Sequence, residues 1–443
     1  MIESDEVSYV GPTLTPRFAL RSFALSILVW TLTGATALAS ADQIYASLYP
    51  FYAEYCALSG IKKRPGFGVE HLGGSGGHAV LYLNGVCRVP NAHYPVIALC
   101  EPGSKGDGVG LSVNAHFKNA NWVATEGKDF FFRGDLAPNE RLTREAYERT
   151  KARAKEMGIY DGVEFHPEVF DDMPPGMSRR EFRYEVSIAT DYAVAFGRNQ
   201  HCARVPVTRG QMAEMVQFLN DLNSEYRDGK KDYVWDVVQD NCIHTLHNAF
   251  SAIGLWDTWE TDQFILIAAF DFPVPANEFV NLMRRTNDLP LDDLNELYAD
   301  EAARRSLIED GWLPTRPGAL AEFERMVQNN DVFETDVHLI FFDDPIFPIY
   351  QERAEEIFSE PRYFDIGANL QYFAKLYQAI LRDRKPLESY LHDTDVQALN
   401  TPLNVKPPEK KQFPEFYQRF YQYIEHQNAM IQAELAALPS INP

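Results

Sequence analysis

The stretch His78-Ala79-Val80-Leu81-Tyr82-Leu83-Asn84-Gly85 constrains the fold more than any other part of the chain. An unbroken apolar run reads as a strand buried on both faces, and Asn-Gly ends it in a turn. Gly73-Gly74-Ser75-Gly76-Gly77 precedes it, so the backbone entering the strand can take positive φ with open space above. A histidine is therefore expected at the head of a rigid strand beside an open loop. A general base needs such a place: a fixed ring, a pKa near neutrality and room for substrate. The competing reading of the glycines is a plain flexible connector. They lack the G-x-x-x-x-G-K-[ST] pattern and the strand-then-G-x-G-x-x-G order, so no nucleotide cofactor is expected.

Far downstream, Asp240-Asn241-Cys242-Ile243-His244-Thr245-Leu246-His247-Asn248 predicts a helix start. Asp240 or Asn241 serves as N-cap, and Leu246, Ala249, Phe250 and Ile253 form an apolar stripe at helical spacing. The unpaired N–H groups and the positive dipole end at a helix start favour thiolate over thiol, which makes Cys242 a candidate nucleophile. The alternative is a small buried residue at a helix start. His244 lies two residues on, on another helical face, and reads as packing or support rather than as the base. Cys242, His244 and His247 could also be taken as metal ligands. No H-x-x-x-H or paired C-x-x-C accompanies them, and no metal is expected.

A third element is Val109-Gly110-Leu111-Ser112-Val113-Asn114-Ala115-His116-Phe117, whose alternation suggests the next strand. Asn114 and His116 would then share a face. A Cys–His pair needs a third polar group to fix the imidazole, and either residue could serve, with His116 slightly preferred because an imidazole can both accept from His78 and respond to its charge.

The order His, strand, polar residue, strand, Cys on a helix resembles a circularly permuted papain-like fold. Asn241-Cys242-x-His244 is similar to the Asn-Cys-x-His signature of the lecithin retinol acyltransferase group. A longer likeness is to the Lnb-type N-terminal periplasmic domain. Gly77-His78 resembles its Gly-His strand start, Val113-Asn114 its Val/Ile-Asn strand and Asn241-Cys242 its Asn-Cys helix start. Arg204-Val205-Pro206-Val207-Thr208 and the following amphipathic helix resemble its lead-in to the cysteine. The likeness covers about residues 70 to 255. It implies a thiol enzyme acting on lipid or lipoprotein acyl groups in the periplasm, with Cys242 as nucleophile, His78 as base and Asn114 or His116 as the orienting residue. A peptidoglycan or peptide amidase, and a non-catalytic cell-envelope binding module, are the other readings.

Arg17 and Arg21, the uncharged run Ser22 to Ala39 and Ala37-Leu38-Ala39-Ser40-Ala41 describe a secretory signal peptide cleaved after Ala39 or Ala41. An uncleaved anchor is the competing reading, and no other segment is apolar enough to span a bilayer, so no integral span is expected after cleavage. Of the five cysteines, four can pair in an oxidising compartment. With Cys242 free, Cys87 with Cys100 and Cys56 with Cys202 is one of three pairings, and the short Cys87–Cys100 loop favours it; the alternative is that all five are reduced and buried. A net charge of −22 argues against nucleic acid and against charge-driven attraction to anionic membranes.

The pattern predicts an α+β catalytic domain over 40–257 after a signal peptide over 1–39, then a mostly helical region over 258–443. Strands are expected near 78–84, 94–99, 109–117, 120–125, 129–133 and 200–207. Helices are expected at 42–58, 143–157 and 179–195, and from Thr208, whose capping box with Gln211 starts one running to about Tyr226. Beyond residue 258, helices are expected at 276–286, 290–298, 299–310, 318–329, 346–359, 367–384 and 411–437. Leu339 to Pro348 is a candidate wall for an acyl groove, although core or a domain contact is the commoner role for such a stretch.

Overall fold

The computed structural model describes residues 40–67, 77–237, 240–261, 274–324, 327–335, 338–342, 349–391 and 410–438. The signal segment, most of the glycine run and residues 343–348 of the Leu339–Pro348 stretch lie outside the described residues. Residues Ile44–Pro443 form one compact unit, and Met1–Gln43 a separate one.

The architecture is α+β. Six antiparallel strands form one sheet in the order β6-β5-β2-β1-β7-β8: β1 is Tyr52–Leu58, β2 His78–Asn84, β5 Val109–Val113, β6 Trp122–Glu126, β7 Gln200–Pro206 and β8 Leu320–Glu324. A separate pair, β3 (Val86–Arg88) and β4 (Ile97–Leu99), is closed by the Cys87–Cys100 disulfide. The second disulfide joins Cys56 to Cys202, which face each other directly across β1 and β7. Cys242 is left as the free thiol.

Several predicted elements differ from the structure. The helix expected over 42–58 is a short helix, α1 (Ala41–Leu48), followed after Pro50 by strand β1. Tyr45, Tyr52 and Tyr55 mimic helical spacing, but proline ends the helix, and a strand buried along all seven residues shows no alternation to betray it. The strand expected at 129–133 is a helical turn, α2 (Lys128–Arg133). Phe131 is fitted over Gly110, where a Cβ would come 2.0 Å from its ring, and the carbonyls of Phe131 and Phe132 accept the N–H groups of Val194 and Ala195. The helix expected over 179–195 stops at Ser187. Finally, 318–329 contains β8 rather than a helix. Pairing with β7 overrides the helix-forming composition, and Glu322 reaches Arg204 at 2.5 Å. A segment of the region expected to be helical thus supplies the edge strand of the sheet.

Helices α3 (Arg144–Glu156) and α4 (Arg179–Ser187) follow β6, and α5 (Arg209–Arg227) begins at the expected Thr208/Gln211 capping box. Helix α6 (Cys242–Ser251) packs on β2, and α7 (Pro275–Asn287) on β1 and β7. Helices α8 (Leu294–Ala299), α9 (Glu301–Glu309), α11 (Ile366–Arg382) and α12 (Phe413–Ala437) share a second apolar core, while α10 (Ile349–Ser359) lies against α7. Among the described residues no helix is long and apolar enough to cross a membrane.

The sheet face opposite α6 carries a buried charge cluster. Glu54 of β1 stands opposite Arg204 of β7 and also accepts from Lys128 at 2.9 Å, while Tyr45 and Tyr52 lie 4.8 and 5.2 Å from the Arg204 guanidinium. Removing one partner strands the remaining charges out of water, so Glu54→Ala should cost about 3–5 kcal/mol in a urea unfolding titration. A loss below about 1 kcal/mol would show that water or other groups replace the carboxylate.

Candidate active site

Cys242 occupies the first position of α6, as the sequence predicts. Asn241 is the cap: its Oδ1 accepts from Ile243 N–H at 2.8 Å and His244 N–H at 3.4 Å. The thiol is 6% exposed. Burial raises its pKa to about 11, against the opposing pull of the Ala79, Cys242 and Ile243 amides and the Arg198 guanidinium. Ala79 immediately follows His78, so the sulfur lies at the very end of the strand that carries the expected base.

His78 is the first residue of β2. Gly77 before it has φ of +87°, and a Cβ there would come 2.2 Å from the carbonyl oxygen of Leu58, so only glycine allows this close approach to β1. By register, His78 shares a face with Val80, Tyr82 and Ser112, whereas α6 covers the face of Ala79, Leu81 and Leu83. Sulfur and imidazole therefore approach the strand end from its two sides. No hydrogen bond joins them.

The ring is bonded elsewhere. His78 Nε2 lies 3.0 Å from Ser112 Oγ, and Ser112 Oγ lies 2.8 Å from Asp191 Oδ1 and 3.0 Å from the Thr190 carbonyl. A hydroxyl has one proton, and both acceptors compete for it, so Ser112 must accept from His78 Nε2–H. That tautomer leaves Nδ1 as the basic nitrogen. Asp191 is fully buried and also receives Asn114 Nδ2 at 3.1 and 3.2 Å and the Tyr160 hydroxyl at 2.9 Å. Burial raises its pKa to about 6 although Ser112, Tyr160 and Asn114 pull it down. Arg198, also buried, donates to the carbonyls of Ala189 and Ser59 and to Thr190 Oγ1. Burial first, then the Arg198 charge, lowers the His78 pKa to about 3.

The premature end of α4 explains how Asp191 arrives. After Ser187 the chain folds back, with Ala189 and Ala193 held at φ of +65° and +52°. Left-handed alanines are strained, by about 1–3 kcal/mol each, and persist only where surrounding contacts dictate them. Here the Asp191 N–H bonds the Ser187 carbonyl, and Thr125 Oγ1 bonds the Asp191 carbonyl.

The two orienting candidates separate. Strand β5 ends at Val113, so Asn114 and His116 do not continue it as expected. Asn114 acts on Asp191 and not on His78. His116 sits in the turn beyond, its backbone N–H bonded to Asn114 Oδ1 and its ring 6.0 Å from that of Phe165. Neither touches the His78 ring; Ser112 does. The residues that the sequence does not reveal are Ser112, Asp191, Tyr160 and Arg198. Ser112 carries a signal in hindsight, two residues before Asn114 on the strand. Asp191 and Arg198 carry none, because only the tertiary fold brings them in.

The metal reading finds no support in these positions. His247 uses both ring nitrogens, with Glu278 Oε1 at 2.7 Å and the Asp257 carbonyl at 3.0 Å, and its ring is stacked between Trp256 and Trp259. Among the described residues, the one group with ligand spacing is Glu54, Cys56 and Cys202, whose sulfurs are bonded to each other.

Compared with known proteins, the sequence matches no family model and no curated protein, and the structure matches no solved one.

These environments predict a neutral thiol and a neutral imidazole at rest. The alkylation rate of Cys242 by iodoacetamide in the native protein should rise about tenfold per pH unit from pH 7 to near 10, because the thiolate fraction does so below the pKa. A rate that levels off below pH 8 would show a preformed thiolate–imidazolium pair instead.

Proposed function

We propose that this protein is a cysteine-dependent acyl-transfer enzyme, a hydrolase or acyltransferase acting on an ester or amide. The observation that carries the reading is a free cysteine on a helix N-terminus, its sulfur at the Ala79 amide, next in the chain to a histidine backed by Ser112 and Asp191. Cys242 Sγ attacks the carbonyl carbon while its proton passes to His78 Nδ1. The resulting oxyanion takes the Cys242 N–H at the helix start. Collapse breaks the bond to the alcohol or amine, which leaves with the proton from His78. Water or an amine then attacks the thioester, again giving its proton to His78, and the C–S bond breaks as that proton returns to Cys242 Sγ. Asp191, through Ser112, holds the tautomer and offsets the imidazolium charge.

The resemblance to the Lnb-type domain extends this to lipid or lipoprotein acyl groups in the periplasm. Two features support that extension. Val234, Trp235 and Val237, in the loop leading to Asn241, are 68, 37 and 49% exposed, an apolar patch beside the nucleophile's helix. The two disulfides suit an oxidising compartment.

A second reading is a non-catalytic envelope module that keeps the fold for binding. What favours it is the buried thiol, held un-ionised, with no bond to His78.

Turnover of p-nitrophenyl esters by the full chain separates the two. Cys242→Ala and His78→Gln should each lower the rate about 10⁴-fold and Asp191→Asn roughly 10²- to 10⁴-fold, with melting temperature changed by only a few degrees in Cys242→Ala. Equal turnover in wild type and Cys242→Ala, or a collapse of stability in Cys242→Ala, would establish the module reading.

A further inference from the structure

Arg198 is 2% exposed and, among the described residues, bonds no carboxylate. Its hydrogen bonds go to neutral oxygens: Nε to the Ala189 carbonyl at 2.7 Å, Nη1 to the Ser59 carbonyl at 2.6 Å and Nη2 to Thr190 Oγ1 at 3.3 Å. Arg204, buried on the same sheet, is satisfied differently, by Glu54 and Glu322. The acid nearest in the chain to those anchors, Asp191, is taken up by Ser112, Asn114 and Tyr160. Holding a guanidinium out of water with no anion in contact is costly, and the cost is recovered when a negative charge forms beside it.

The three bonds join two parts of the site. Ala189 and Thr190 belong to the turn that delivers Asp191, and Ala189 is one of its left-handed alanines, at φ of +65°. Ser59 follows Leu58, the register partner of His78, and its carbonyl carbon lies 3.6 Å from where a Gly77 Cβ would stand. The guanidinium is thus held beside the end of β2, where the Cys242 sulfur meets the Ala79 amide. Its charge reaches both reacting groups, favouring the thiolate and opposing the imidazolium. The other ionisable groups coupled to the thiol are the Tyr55 and Tyr233 phenols, which burial keeps neutral, and Ser112 stands between His78 and Asp191.

We propose that Arg198 is a positioning residue for the chemistry of Cys242: it ties the Asp191 turn to the end of β1 and is the counter-charge that the thiolate meets when His78 takes the proton. The same charge keeps the resting imidazole unprotonated, and so a base rather than an acid. The role serves the acyl-transfer reading, yet thiol alkylation needs no turnover. A chain inactive on every ester would refute that reading and leave the test of Arg198 intact.

Alkylation of Cys242, the free thiol, by iodoacetamide at pH 8 in the full chain reads its thiolate fraction, which below the thiol pKa changes about tenfold per pH unit. A unit charge about 10 Å away at an effective dielectric near 20 is worth roughly one such unit. Arg198→Met should therefore react about tenfold more slowly than wild type, whereas Arg198→Lys, which keeps the charge and loses the fork, should stay within about threefold of it. A merely structural role predicts the opposite sign for Arg198→Met: a loosened site admits water, relieves the burial that raises the thiol pKa and speeds the reaction. Should Arg198→Met fail to fold, Arg198→Lys decides alone, and a change of about tenfold in either direction would count against the charge. A wild-type or faster rate in Arg198→Met, or an Arg198→Lys as slow as Arg198→Met, would overturn the inference.

Discussion

One buried carboxylate organises the candidate site. Asp191 gathers Ser112 and Asn114 from the end of β5 and Tyr160 from the segment before α4, and its own carbonyl takes Thr125 of β6. A carboxylate without solvent must be satisfied on all sides, and this one is, at the expense of two strained alanines beside it. Each donor in turn becomes fixed. Ser112, tied to Asp191, can only accept from His78, and the histidine's tautomer follows from that chain rather than from any direct contact with an acid.

The same burial sets the resting charge state. Taken singly, a thiolate, an imidazolium and a carboxylate are each disfavoured here, as the directions for Cys242, His78 and Asp191 all show. Arg198 links them, because its charge acts on Cys242, His78 and Asp191 together. Ionisation of thiol and imidazole as a pair is the route that leaves no lone charge, and substrate arriving at the strand end is what would draw the proton across. Arg198 has opposite effects on the two partners: it favours the thiolate and disfavours the imidazolium.

Much of this was legible wherever the determinant is local. The His78–Asn84 strand, the Asn241 cap before Cys242, the capping box of α5 and the Cys87–Cys100 pair rest on neighbouring residues or on a short loop, and Cys56–Cys202, 146 residues apart, followed only as the pair left over. The misread elements are those decided by partners far away. β1 is buried on both faces and so has no alternation, while β8 is rich in helix formers and is a strand only because β7 offers an edge. The orienting group falls in this class too. Its neighbours suggested Asn114 and His116, but the acid comes from a stretch that reads as helix and becomes a turn.

The central claim is that Cys242 forms a covalent acyl intermediate with help from the His78–Ser112–Asp191 chain. Intact-mass spectrometry of the protein mixed with an activated short-chain ester tests it directly. One acyl group per chain should appear, map to Cys242 and form more slowly in Asp191→Asn. A chain that stays unmodified, or one acylated equally well when Cys242 is alanine, would contradict the account.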